Sequence, residues 1–122
     1  MPAVEFAAKI KDVKVTESED AIFQCVLSTP LNRITWSKVD SSLDHGDKYE
    51  VTVSEDKLTH TLRVKDCQIA DNGAYYAIAG ITSSSASLRV EGGTAFFIIL
   101  IYALELKDNI TDTLIRHPLF VI

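Results

Sequence analysis

Short runs that alternate apolar and polar residues with a period of two, each closed by a polar turn, fill the first 92 positions of this chain, and they constrain its fold more than any other feature. In a strand, successive side chains point to opposite faces, so alternation of this kind buries one face of a sheet and wets the other. Positions 21–27 put Ala21, Phe23, Cys25 and Leu27 on one face, with Gln24 on the other. Positions 33–38 turn Ile34 and Trp36 inward between polar neighbours, and 48–54 turn Tyr49, Val51 and Val53 inward. Positions 58–65 do the same with Leu58, Leu62 and Val64, after a turn at Ser54-Glu-Asp-Lys57. The stretches 74–79 and 84–90 read as a closing hairpin around Gly80, and Val13 with Val15 as a short edge strand. Helical periodicity is sustained nowhere in this region. Seven or eight short strands in about 90 residues predict an all-β sandwich.

The composition changes at Gly92-Gly93. Positions 93–122 are mostly apolar, whereas the part before them is mixed. The expected organisation is therefore a β-domain at 1–92 and an apolar tail at 93–122. Within the tail, Phe96-Phe-Ile-Ile-Leu-Ile101 is uncharged and β-prone, a hazard for aggregation as a free end. The uninterrupted apolar stretch at 95–104 is closed by Glu105 and Lys107, well short of the roughly 20 residues that cross a bilayer. Three readings of the tail stand: a truncated or alternative end unrelated to the domain, an extra strand or helix docked on it, and a degenerate membrane anchor. The first is favoured, because the strand pattern is complete by Glu91.

Cys25 and Trp36 stand on successive expected strands, and Asp71-Asn-Gly73-Ala-Tyr75 follows the strand that carries Leu62-Arg-Val64. On these residues the chain resembles the I-set immunoglobulin domain, from about Ala3 to Glu91. Lys-Asp-Val-Lys-Val at 11–15, Phe23-Gln-Cys25, Ile34-Thr-Trp-Ser-Lys38 and Lys65-Asp-Cys-Gln68 narrow the resemblance. They are similar to the cytoplasmic I-set domains of titin, obscurin, myomesin, myosin-binding protein C and the immunoglobulin-like and fibronectin type III domain-containing protein. The resemblance implies that Trp36 packs beside Cys25 between the sheets and that Tyr75 forms a tyrosine corner, returning its hydroxyl to upstream backbone. It further implies that Leu62 belongs to the core strand, that Asp71 and Gly73 shape the turn, and that Lys48 pairs with Asp71.

One position departs from the extracellular members of that family. Their second disulfide cysteine falls two residues after the corner tyrosine, where this chain has Ala77. Cys67 falls in the turn before the corner, a layout that does not suggest the Cα separation below about 7 Å that a bridge to Cys25 would need. Both thiols are expected to be free. A fold without a cross-link worth roughly 2 to 4 kcal/mol fits a reducing compartment, where disulfides do not persist.

Charge and residue patterns exclude several function classes. A net charge of −5 argues against a nucleic-acid footprint. His45, His60 and His117 lack ligand spacing, and the acidic groups at Glu17, Glu19 and Asp20 and at Asp40, Asp44 and Asp47 read as solvated loops without a calcium-loop pattern. Ser83, Ser84, Ser85 and Ser87 read as a solvated hairpin face, and no serine sits in a nucleophile elbow. No catalytic, cofactor-binding or metal-binding residue is expected. Met1 to Ile10 carry Glu5 and Lys9 with no apolar core, so no secretory signal is read there, and the sequon Asn109-Ile-Thr111 would matter only in a secreted protein.

The expected function is that of a non-catalytic structural and protein-interaction module of a cytoskeletal or sarcomeric scaffold, located in the cytoplasm. Its partners would be filament proteins and neighbouring immunoglobulin or fibronectin type III modules, with no nucleic acid and no membrane. The alternative is a fragment of the ectodomain of an immunoglobulin-superfamily adhesion or receptor protein.

Overall fold

The computed structural model describes residues 4–39 and 41–108. Asp40, the sequon at Asn109 and His117 lie outside the described residues. The chain divides into two compact units, Met1–Glu91 and Gly92–Ile122.

Nine strands form the described part of the first unit: β1 (Phe6–Ala8), β2 (Val13–Thr16), β3 (Ala21–Leu27), β4 (Thr35–Lys38), β5 (Ser41–Leu43), β6 (Tyr49–Val53), β7 (Thr59–Val64), β8 (Gly73–Ala79) and β9 (Thr82–Glu91). A single 3-10 turn at Ile69–Asp71 precedes β8. One sheet runs β1-β3-β7-β6 and the other β2-β9-β8-β4-β5. All pairings are antiparallel except β2 on β9, which is parallel and puts Val13 opposite Leu88.

Two of the nine strands, β1 and β5, lie outside the seven segments placed from the sequence. β1 and β5 have three residues each, and each turns one substantial apolar side chain toward the core, Phe6 and Leu43. Three residues are too few for alternation to show. A second difference lies in β7, which begins at Thr59 and buries His60, Leu62 and Val64 in alternate positions. The inward histidine takes the place in the row that alternation alone would give to an apolar residue, while Leu58 lies just before the strand and is half-buried.

The core follows from the alternation. Ala21, Phe23, Cys25 and Leu27 of β3 are buried with intervening residues outside, and β9 buries Ser84, Ala86, Leu88 and Val90 in the same rhythm. Trp36, Tyr75 and Phe23 are the largest fully buried side chains among the described residues. Phe23 and Tyr75 stack with ring centroids 5.1 Å apart, an offset aromatic contact that adds to simple area burial.

In the second unit, α1 (Thr94–Asp108) holds the apolar run in a helix about 22 Å long, at 1.5 Å per residue. The β-branched Ile98, Ile99 and Ile101 favour strands in a half-buried sheet, yet here local helix formation prevails. From Ile98 to Leu104 the side chains are exposed. No described helix is long and apolar enough to cross a membrane.

Candidate functional site

The chemistry at the end of β7 centres on Asp71. The 3-10 turn brings Asp71 back over the strand, where its Oδ2 accepts the Gln68 backbone N–H at 2.8 Å and Lys48 Nζ at 2.7 Å. The Asp71 carbonyl accepts the Tyr75 hydroxyl at 2.7 Å, and this bond is buried. Lys48, immediately before β6, also donates to the carbonyls of Lys65 at 2.9 Å and Asp66 at 3.1 Å. Three acceptors meet the three protons of one ammonium, so Lys48 ties the entry of β6 to the end of β7 and to the turn.

Gly73 begins β8 with φ +139, a backbone conformation that side chains other than glycine rarely adopt. It lets the chain leave the 3-10 turn and enter the sheet within two residues. Beyond Gly73, Asn72 fastens the turn to β9: its Oδ1 accepts the Val90 N–H at 2.8 Å, and its Nδ2 donates to the Ile69 carbonyl at 2.8 Å. Lys38 approaches from β4, with Nζ 5.1 Å from the centre of the Tyr75 ring and 3.5 Å from the Asp71 carbonyl.

Of the residues singled out in the sequence, the structure brings Lys48, Asp71, Gly73 and Tyr75 together in this corner. Trp36, Cys25 and Leu62 lie elsewhere, in the core between the sheets. Lys38 and Asn72 belong to the corner as well, although the motifs that contain them assign neither a role. Asn72 is one polar residue in a turn, and Lys38 reaches the corner only because β4 lies beside β8.

Cys25 and Cys67 are both free and buried. Burial pushes the Cys25 thiol up to about 11, and burial, with the nearby Asp71 carboxylate, also raises Cys67. Neither thiol is an activated nucleophile, since reactive cysteines are held as thiolates by positive or exposed surroundings. Cys67 Sγ instead donates to the Val64 carbonyl at 3.5 Å. Among the described residues no group of three or more histidines, cysteines or acids is arranged to hold a metal ion.

The two outer faces differ in chemistry. On the four-stranded sheet Arg63 is flanked by Asp20 at 2.7 Å and Glu50 at 3.8 Å. The Asp66 backbone N–H, and after it the Arg63 guanidinium, hold Asp20 below the usual carboxylate range. On the five-stranded sheet, Ser85 of β9, Tyr76 of β8, Ser37 of β4 and Ser42 of β5 align across four strands, an uncharged hydroxyl-rich row. At the β8–β9 hairpin tip, Ile81 is fully exposed.

The sequence pattern of the immunoglobulin I-set domain matches residues 4–91, which are the residues that build both sheets and the corner. The chain belongs to the immunoglobulin I-set family. Among curated proteins this I-set chain is 36% identical over 94 residues to titin of Drosophila melanogaster. It is 31% identical over 91 residues to the muscle M-line assembly protein unc-89 of Caenorhabditis elegans. It is 29% identical over 89 residues to cardiac-type myosin-binding protein C of Rattus norvegicus. Each match takes in 73% to 74% of the chain, while the chain spans 7% or less of the length of these relatives. Among solved structures, titin domain I81 is 34% identical with a TM-score of 0.65, covering 74% of this chain and 98% of that one. The titin I9–I11 tandem has a TM-score of 0.69 at 24% identity, covering 74% of this chain and 34% of that one, and supports the fold alone.

Proposed function

We propose that this I-set chain is a non-catalytic structural and protein-interaction module of a cytoskeletal or sarcomeric multidomain scaffold, acting in the cytoplasm. The observations that carry this reading are the match of residues 4–91 to the immunoglobulin I-set domain and the likeness of the chain to titin, unc-89 and myosin-binding protein C, all muscle proteins. The thiol chemistry supports it. Cys25 and Cys67 are buried, unpaired and poorly ionised, and Ala77 stands where a disulfide partner would be, an arrangement stable where thiols stay reduced.

Such a module works by contact, through its faces, edges and loops, to filament proteins and neighbouring immunoglobulin or fibronectin type III modules. A single domain of this size offers patches smaller than the standard interface of about 1,600 Å², so affinity grows with the number of linked modules. Residues 1–92 are the interacting domain and 93–122 a separate appendage. The test is the full chain, tagged and expressed in striated muscle cells. Filament-associated striations are the expected result, and display at the cell surface would overturn the reading in favour of an adhesion or receptor ectodomain.

A further inference from the structure

Asn32, Asn72 and Asn109 are the asparagines of the chain, and of these only Asn72 is followed by glycine. That step is chemically labile. A backbone nitrogen can attack the carboxamide carbon of the asparagine before it and close a five-membered ring, and glycine hinders the attack least because it has no Cβ beside its nitrogen. Asn72 and Gly73 are both exposed, so water reaches them.

The fold holds this carboxamide by three bonds. Asn72 Nδ2 donates to the Ile69 carbonyl at 2.8 Å and to the Val90 carbonyl at 3.3 Å, and Oδ1 accepts the Val90 N–H at 2.8 Å. The Asn72 backbone N–H donates to the same Ile69 carbonyl at 3.2 Å, and Gly73 is paired with Leu88 in the β8–β9 ladder. Ring closure brings Asn72 Cγ to covalent distance from the Gly73 nitrogen and expels Nδ2, so the side chain must first let go of the 3-10 turn and of β9. Val90 is the last residue but one of β9, and strand ends open at a smaller free-energy cost than strand centres.

We propose that Asn72 is a site of spontaneous deamidation gated by the fold: it converts to aspartate or isoaspartate when the end of β9 lifts from the turn, and the product holds β9 less tightly than asparagine does. The Gly73 nitrogen gives its proton to solvent and forms a bond to Asn72 Cγ, while the Cγ–Nδ2 bond breaks and Nδ2 leaves as ammonia. One water then opens the succinimide. Attack at Cγ restores the peptide link and leaves aspartate, and attack at the backbone carbonyl leaves isoaspartate, with the chain running through the side chain. The sum is amide plus water to acid plus ammonia, with no oxidant or reductant. A carboxylate at this position only accepts, so the donors to the Ile69 and Val90 carbonyls are lost and a negative charge faces both oxygens. Isoaspartate also lengthens the backbone just where Gly73 enters β8.

The full-length chain is incubated at mildly alkaline pH, native and in denaturing guanidinium, and the peptide containing Asn72 is followed by mass spectrometry, with isoaspartate scored by isoaspartyl methyltransferase. Conversion should be at least about tenfold slower in the native chain, since only the open fraction reacts. Equal rates overturn the gating, and a denatured chain that leaves Asn72 intact overturns the site. Exchange of the Val90 N–H with deuterium needs the same release, so it measures the open fraction independently. Its protection should agree with the slowing of deamidation to within about tenfold, and a larger mismatch in either direction refutes a shared opening. Asn72→Asp carries the product's carboxylate and should speed Val90 exchange at least about threefold. Exchange that is unchanged or slower in Asn72→Asp overturns the loosening of β9.

Discussion

Replacing Tyr75 with phenylalanine isolates one bond of the corner. The ring keeps its stacking on Phe23, and only the hydroxyl that donates to the Asp71 carbonyl at 2.7 Å is removed. Leaving a buried carbonyl without a donor costs about 1 to 3 kcal/mol. Here the cost should fall in the lower half of that range, because Lys38 Nζ already stands 3.5 Å from the same oxygen and can close on it. In a domain of this size each kcal/mol lowers Tm by about 4 to 8 °C. The measurement is guanidinium unfolding of Tyr75→Phe in the wild-type chain and in a Lys38→Met background. The expected midpoint falls without change in slope, and the loss is larger by at least about 0.5 kcal/mol when Lys38 is absent, since both donors serve one acceptor. If Tyr75→Phe stays within about 0.5 kcal/mol of its parent in both backgrounds, the carbonyl does not depend on these donors and the reasoning fails.

Lys48→Met should cost about 1 to 3 kcal/mol by thermal unfolding, because the Asp71 carboxylate and two carbonyls lose one shared donor. Gly73→Ala should cost more than about 1 kcal/mol in the same assay, since a Cβ meets nothing closer than Lys38 Cε at 3.8 Å and the penalty comes from φ +139. Alkaline pH should destabilise the fold: Cys25, Cys67, Tyr49 and Tyr75 all hold their protons more tightly when folded, chiefly through burial. Stability is therefore full below the unfolded thiol value of about 9 and falls as pH rises toward 11, and Cys25→Ala should flatten the Tm profile between those limits. A chain ending at Glu91 should unfold cooperatively with a guanidinium midpoint close to that of the full chain, since every described strand and the corner lie within residues 4–91.

The sequence by itself determined the sandwich. Alternation depends only on the backbone period of two and on which residues avoid water, so the burial rhythm of β3 is legible residue by residue, whereas Ser84 of β9, read with its neighbours as a solvated face, is buried and accepts the Ile10 N–H. The corner's main parts are legible through the family resemblance, because Asp71, Gly73 and Tyr75 lie within five positions and keep the family's spacing. Tertiary structure decided what depends on neighbours distant in the chain. β1 and β5 are strands because β3 and β4 offer them ladders, not because three residues prefer to be extended. Lys38 reaches Tyr75 across strands, and Lys48 becomes a three-way tie only when β6 and β7 are in register. The tail shows the same division in reverse: Ile98, Ile99 and Ile101 are strand-formers by propensity, and in the absence of a ladder to join, the backbone satisfies its hydrogen bonds within a helix. His60 is the sharpest case. Its polarity argues for the surface, but the row between Cys25 and Val53 and the carbonyl of Lys57 place it inside, because burial is set by the sheet's register and by the partners a side chain finds there.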